Sequence, residues 1–174
     1  SDELLINRVN ADLSNDLGNL SQRCLTMVKK NCNQSIPQKN ELNEIDLKLL
    51  NSVDLKKSSI SDLMTNFQIS SYISEVFELI SNTNKYFSDQ KPWDLKKLDE
   101  RRMNTVLWVT CEMLRRVGIL LQPVIPSASS KLLDFLCIDK NHRSLDFLSE
   151  DNALSSGKSI KDPEIIFPKI DLKK

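Results

Sequence analysis

Asn19 and Arg23 are the residues whose types and spacing first indicate chemistry. They lie four positions apart, so a helix over this segment places them on one face, one turn from each other. An asparagine amide both donates and accepts hydrogen bonds, and a guanidinium presents a planar set of donors. The pair could therefore read the edge of a nucleobase or clamp a phosphate. It could equally do no more than solvate a helix surface, which is the commoner role of such residues.

The apolar residues around this pair predict the helix that positions it. They recur in steps of three and four and indicate a first helix from about Glu3 to Cys32. The apolar stripe consists of Ile6, Val9, Leu13, Leu17, Leu20, Cys24 and either Met27 or Val28. Asn19 and Arg23 stand beside this stripe, at the edge of the face that should meet the core.

Two further helices are predicted in the next part of the chain. A short second helix should stop near Lys57, and Ser59 followed by Asp62 is typical of the N-cap of a third helix. The third helix has the clearest apolar stripe of the chain, as a helix in a bundle requires. Its members are Leu63, Phe67, Ile69, Tyr72, Ile73, Val76, Ile80, Thr83 and Phe87.

Trp93 follows a predicted helix break. Pro92 disfavours helical geometry in the residue before it and suits the first turn of a new helix, so the indole stands at a helix entrance. There the ring could offer a flat face to a partner. From the residues alone, the ring could as well belong to the core at one end of a bundle.

A fourth helix is expected to begin at Asp94 or Lys97 and to end at Leu121. Its first half is charged and its second half is nearly all apolar, so the second half should be central, with Trp108 in the core. A short fifth helix should cover residues 127–136. The fold class predicted from these segments is all-α, an antiparallel bundle of about five helices.

The predicted bundle occupies residues 1–150, and residues 151–174 are expected to form an extended tail that packs back onto it. In this tail, Ile165, Ile166 and Phe167 lie between prolines and cannot form a long helix. The chain is therefore expected to consist of a helical unit and a tail.

Composition excludes several classes of function. The 174 residues carry 24 Lys and Arg and 24 Asp and Glu, so the net charge of zero creates no overall field that attracts nucleic acid or a membrane. Any contact with RNA must then be local. Only three glycines are present, too few for a glycine-rich phosphate loop. No apolar run is long enough to cross a bilayer and no signal segment opens the chain, so we expect a cytoplasmic protein.

The residues that usually carry catalysis or bind metal do not form recognisable groups. Four cysteines lie far apart without a C-x-x-C spacing, so buried, reduced thiols are expected. They are Cys24, Cys32, Cys111 and Cys137. His142, the single histidine, has no triad context, and Asp12 and Asp16 are expected to support or solvate their helix rather than to act as paired carboxylates. We predict no catalytic residue and no metal site in this chain, which leaves binding as the leading class of function.

Four segments, in order, resemble one known family. The first has the pattern N-x-D-L…G-N-L-x-x-R from Asn10 to Arg23, and the second runs from Asn84 to Pro92 and Trp93. The third covers residues 114–126 and the fourth runs from Gly157 into the tail sequence I-F-P-K-I. This order resembles the C-terminal anticodon-binding domain of bacterial methionyl-tRNA synthetase. The equivalent domains of the valine, leucine, isoleucine and cysteine enzymes share this type of bundle and remain an alternative.

The resemblance implies that the chain reads the CAU anticodon of methionine tRNA. The chain's own N-terminal catalytic domain, absent from this sequence, would then form methionyl-adenylate and charge the tRNA. ATP would be used in that domain, which can also hold zinc, whereas no cofactor is implied here. The fragment alone should be inactive, and the full ligase is expected to be a cytoplasmic monomer without membrane contact.

The anticodon readers implied by the resemblance are Asn19, Arg23 and Trp93, and Pro92 helps to place the indole. An unstacked base needs a flat partner, and aromatic stacking contributes about 1 to 3 kcal/mol per base. Helical geometry also places Lys30 on the face of Asn19, where it could meet a phosphate. The competing hypothesis is a helical protein-interaction module whose polar stripe on the first helix meets another protein.

Overall fold

Six α-helices and three 3-10 turns make up the described part of the chain. The computed structural model describes residues 2–163, without the side chains of Asp2, Leu5 and Ile6. The helices are α1 (Asp2–Asn31), α2 (Glu44–Thr65), α3 (Ile69–Gln90), α4 (Pro92–Leu98), α5 (Glu100–Leu121) and α6 (Pro126–Phe135). The 3-10 turns are Lys140–His142, Leu145–Phe147 and Glu150–Asn152. Five helices have ten residues or more and α4 has seven, so the prediction of an all-α bundle of about five helices is confirmed.

The centre of the bundle is α5, against which α1, α2, α3, α4 and α6 all pack. Every residue of α5 from Thr105 to Leu121 is buried. Trp108 is 2% exposed, and its indole N–H donates a hydrogen bond to the Leu154 carbonyl at 3.1 Å. The prediction that the apolar half of this helix is central, with Trp108 in the core, is therefore confirmed.

The predicted break between the second and third helices was wrong. α2 continues through Lys57, Ser59 and Asp62 to Thr65, and the chain turns at residues 66–68. Ile60, at 1% exposure, is anchored in the core, and this burial keeps the polar stretch around it helical. The turn itself contains Phe67, which has a left-handed backbone (φ 57°) and is 84% exposed, so it does not belong to the core stripe.

The predicted fourth helix is two helices. Asp99 interrupts it with an extended backbone (φ −158°, ψ 86°), and its carboxylate accepts a hydrogen bond from the Arg102 N–H at 3.1 Å. Because this carboxylate caps the first turn of α5, a new helix begins at Glu100. The charge pattern of the sequence had predicted one continuous helix here. Trp93 therefore lies on a short separate helix, α4, and not on α5.

The described part of the predicted tail packs against the bundle. The backbones of Ser35 and Ser159 form an antiparallel bridge, and the Lys161 N–H donates to the Phe135 carbonyl at the end of α6. Ile160 is 3% exposed. Residues 164–174 lie outside the described part, so the placement of Ile165, Ile166 and Phe167 and the division at residue 150 stay predictions.

A buried triad of charges lies in the middle of α5. The Glu112 carboxylate is fully buried and accepts hydrogen bonds from Arg115 Nε at 2.7 Å and from Arg116 Nε at 2.8 Å. Each guanidinium also reaches a backbone carbonyl, Arg115 that of Phe147 and Arg116 that of Leu50. The triad therefore ties α5 to α2 on one side and to the 3-10 segment on the other.

Candidate nucleic-acid interface

Arg23 and Trp93 meet at one end of the bundle, although seventy positions separate them in the sequence. The Arg23 guanidinium carbon lies 5.7 Å from the centre of the Trp93 ring and 4.9 Å from that of Phe87. The two rings are 5.9 Å apart, with planes tilted by 55°. These distances are typical of cation–π and tilted aromatic contacts. We call Arg23, Phe87 and Trp93 the aromatic cluster.

Trp93 is a surface residue, with 44% of its area exposed. Of the two roles open to it from the sequence, the core position is excluded, and the structure places an indole where a partner can reach it. An exposed tryptophan with a cation beside it is a surface on which a nucleobase can stack.

The local backbone explains how α4 presents this indole. Lys91 ends α3 in a left-handed conformation (φ 48°, ψ 60°), and its N–H bonds the Phe87 carbonyl at 3.3 Å. Pro92 then begins α4 and is buried. A proline suits this position because its fixed φ matches a helix and its missing N–H would have no helical partner. The next residue, Trp93, is thereby directed out of a sharp turn.

Asn19 is exposed on α1, one turn before Arg23. Its side chain makes no hydrogen bond to another residue within 2–163, so both functions of the amide are available to a partner. Lys30 is exposed too, but it lies seven residues beyond Arg23 on α1, about 10 Å by helical rise. The neighbouring Lys29 is held by both carboxylate oxygens of Asp162, at 2.7 and 2.8 Å. Lys30 is therefore outside the immediate surroundings of the cluster.

Three exposed lysines lie close to Trp93 in a chain whose net charge is zero. Lys91, Lys96 and Lys97 are all exposed, and none forms an ion pair with a residue of the described range. Lys96 and Lys97 follow Trp93 by three and four positions on α4, so they share its face. These lysines can contact RNA phosphates locally, next to the exposed acids Asp94 and Asp99 of the same segment.

A buried carboxylate fastens the end of α3 next to this site. Asp46 is fully buried and receives the Tyr86 hydroxyl at 2.6 Å and the Arg102 guanidinium through two hydrogen bonds, at 2.6 and 2.8 Å. Arg102 also donates to Gln90, the last residue of α3, at 2.8 Å. The starts of α2 and α5 are thus joined to the turn that leads into Trp93.

The pKa of Asp46 reflects two opposing effects. Burial raises it, but the hydrogen bonds from Arg102, Tyr86 and the Asn43 N–H, together with the charge of Arg102, outweigh burial and hold the pKa below 3.8. The pKa of the Tyr86 hydroxyl is raised, first by burial and then by the bond to Asp46. The carboxylate therefore stays ionised and the phenol neutral at physiological pH.

Asp46→Asn is expected to lower the free energy of unfolding at pH 7 by about 2 kcal/mol, because Arg102 loses its buried counter-charge. Since the folded pKa lies below 3.8, the ionised form contributes stability above that pH, which is lost as the pH falls through the folded pKa. The difference in the free energy of unfolding between the wild type and Asp46→Asn should therefore become smaller towards pH 3. Urea unfolding at both pH values measures it, with the exposed Asp62→Asn as a matched control on α2. A gap that does not change with pH would contradict the assignment.

The sequence singled out Asn19, Arg23 and Trp93 as candidates but did not indicate the residues that Arg23 and Trp93 contact. Phe87 was predicted only as a core residue of its helix, and Asp46, Gln90 and Arg102 were not singled out. The one available signal was the capping-box pattern, in which Asn43 and Asp46 exchange hydrogen bonds at the start of α2. It could have located this helix start, but not the ion pair to Arg102.

Residues 2–163 contain no recognisable metal site and no helix that could span a membrane. In this range no three His, Cys, Asp or Glu side chains are grouped so as to hold a metal ion. Likewise, no described helix is both long and apolar enough to span a bilayer. The four cysteines are free thiols, and Cys24 and Cys111 lie with their sulfur atoms 3.7 Å apart in the core.

The bundle and its aromatic end are those of a helical anticodon-binding domain, and comparison with known proteins identifies which one. Residues 36–174 match the family described as the anticodon binding domain of methionyl tRNA ligase. This chain belongs to that family. The prediction made from the four sequence segments is confirmed, and the domains of the related valine, leucine, isoleucine and cysteine enzymes are excluded.

Relatives extend the match over the whole helical region, including α1. The chain is 41% identical to the methionine–tRNA ligase of Brucella suis over 170 residues, which are 97% of this chain and 33% of that protein. It is 36% identical to the ligase of Mycobacterium tuberculosis, again over 97% of this chain and 33% of the relative. The chain thus spans about a third of the length of the curated relatives it matches.

Solved structures agree with the sequence relatives. The crystal structure of apo methionyl-tRNA synthetase from Mycobacterium tuberculosis superposes with a TM-score of 0.87 at 35% identity, over 97% of this chain and 34% of that chain. A structure of the same protein bound by methionyl-adenylate gives the same TM-score and identity. The fold of this chain therefore matches a segment that makes up about a third of that synthetase.

Proposed function

We propose that this chain recognises the CAU anticodon of methionine tRNA through Asn19, Arg23 and Trp93. The observation that carries the proposal is the exposed indole of Trp93 with the Arg23 guanidinium 5.7 Å from its centre. An anticodon base that leaves its stack could lie on the indole, where base stacking contributes about 1 to 3 kcal/mol. The guanidinium and the Asn19 amide would then hydrogen-bond the edges of unstacked bases.

Phosphate contacts would add affinity without specificity. Lys91, Lys96 and Lys97 are exposed within four positions of Trp93, and Lys30 lies further along α1, where the path of the RNA backbone could reach it. Contacts of this kind position an RNA but carry no sequence information. The division of labour we propose is therefore base reading by the three residues at the cluster and neutralisation of phosphates by the lysines.

We propose further that this recognition serves a full-length ligase that makes methionyl-tRNA. Its catalytic domain, outside this sequence, would use ATP to form methionyl-adenylate, and zinc, if held, would be bound there. This is supported by the family membership and by relatives about three times longer than this chain. We propose that the ligase is a cytoplasmic monomer in which residues 151–174 form a tail on the helical unit of residues 1–150.

A titration of this chain with RNA stem-loops tests the proposal. The CAU stem-loop is expected to bind at least about tenfold more tightly than one with a changed anticodon, since wrong bases leave Asn19 or Arg23 unpaired. Affinity should fall with salt, and Lys30→Ala should reduce the slope of log K against log salt by about 0.7 without changing the preference. A protein-interaction module would show neither the preference nor the slope, and that result would refute the proposal.

A further inference from the structure

Phe87 lies beneath both residues that we propose to contact the anticodon. Its side chain is 1% exposed, in the last turns of α3. The Arg23 guanidinium is closer to the Phe87 ring, at 4.9 Å, than to the Trp93 ring, at 5.7 Å. The Phe87 carbonyl also accepts the N–H of Lys91, the residue that turns the chain towards Trp93. One residue thus contacts the arginine through its ring and supports the tryptophan through both ring and backbone.

We infer that Phe87 is a positioning residue for anticodon recognition, whose buried ring holds the Arg23 guanidinium and the Trp93 indole in the arrangement that receives the base. This inference rests on the proposed function. Arg23 and Trp93 are exposed, and a long exposed side chain loses much conformational freedom when a ligand fixes it. The ring of Phe87 is fixed by the core. Because Arg23 and Trp93 are ordered against this ring when the protein folds, they lose less conformational entropy when the RNA binds.

The aromatic face is what this role needs, beyond apolar volume. A guanidinium is attracted by the negative face of a ring, and an aliphatic side chain of similar size packs equally well in a core but offers no such face. Phe87→Met therefore separates the two roles. It keeps most of the buried volume and removes the cation–π contact to Arg23 and the ring contact to Trp93.

The test measures anticodon preference, defined as the ratio of dissociation constants for a changed and a CAU stem-loop. Phe87→Met and Phe87→Leu are compared with Leu79→Ala, a fully buried position on the same helix away from the cluster. A loss of folded protein multiplies both dissociation constants alike, so it cancels in the ratio. Phe87→Met is expected to lower the preference about threefold to tenfold. Leu79→Ala should lower stability and leave the preference unchanged.

Each outcome decides the inference. A preference that falls in both Phe87 variants but not in Leu79→Ala supports positioning by the ring. A preference that survives Phe87→Met while Trp93→Ala abolishes it overturns the role of Phe87 and leaves the proposed function intact. A wild-type chain that shows no preference refutes the proposed function itself and the inference with it. Should Phe87→Leu fail to fold, the volume-conserving methionine variant decides alone.

Discussion

Trp93→Ala in the full-length ligase is expected to lower kcat/KM for tRNA aminoacylation by roughly fivefold to 150-fold, the range that corresponds to losing about 1 to 3 kcal/mol of base stacking. Formation of methionyl-adenylate, followed as methionine-dependent exchange of pyrophosphate into ATP, should stay near the wild-type rate, because that reaction involves no anticodon. The indole is 44% exposed, so its removal creates no cavity in the core.

Trp108 offers a matched control for this experiment. It is the other tryptophan of the chain, but it is 2% exposed and bonded to the Leu154 carbonyl. Trp108→Phe should therefore lower thermal stability while the ratio of aminoacylation to adenylate formation stays unchanged. If Trp93→Ala reduces both reactions equally, Trp93 acts on the whole protein rather than on the tRNA, and the site assignment is wrong.

Glu112→Ala is expected to lower the free energy of unfolding by about 3 to 5 kcal/mol, because it removes the buried carboxylate that two guanidiniums share. Arg116 would keep only the half-exposed carboxylate of Asp54, at 3.9 Å, and Arg115 would keep no carboxylate among residues 2–163. Arg115 and Arg116 are each 2% exposed, so neither guanidinium can turn to bulk solvent without disturbing the core. The Leu154 N–H, which donates to Glu112 at 3.2 Å, also loses its acceptor. A domain with an ordinary stability of about 5 to 15 kcal/mol would lose a large part of it.

Urea unfolding at pH 7 measures this effect, and Glu100→Ala is the control. Glu100 belongs to the same helix but is exposed in its first turn, where a charge contributes about 1 kcal/mol or less. Glu112→Gln, which keeps the shape and one acceptor oxygen, should fall between the two. If Glu112→Ala and Glu100→Ala have equal free energies of unfolding, the triad does not stabilise the fold and the prediction is wrong. The anticodon preference of the protein that remains folded should be that of the wild type, because no hydrogen bond, ion pair or ring contact within residues 2–163 joins the triad to the aromatic cluster.

Periodicity predicted most helices well, and its failures have local causes. α1 and α6 lie within one or two residues of their predicted bounds. The break between α2 and α3 was misplaced because Ser59 and Asp62 have the composition of an N-cap, whereas the burial of Ile60 decides the local structure. The break at Asp99 was missed because an aspartate inside a charged run is typical of a solvated helix and, equally, of a cap.

By itself, the sequence determined the helical class, the shared face of Asn19 and Arg23, the placement of Trp93 after a proline at a helix start, and the family. These properties depend on spacing within one helix or on order along the chain. Only the tertiary structure decided that Trp93 is exposed and that Arg23 and Phe87 meet beside it. The pairing of Asp46 with Arg102 was decided in the same way. The physical reason is that these contacts join residues on different helices, and their distances are set by how α1, α3 and α4 pack around α5, which no pattern within a single helix encodes.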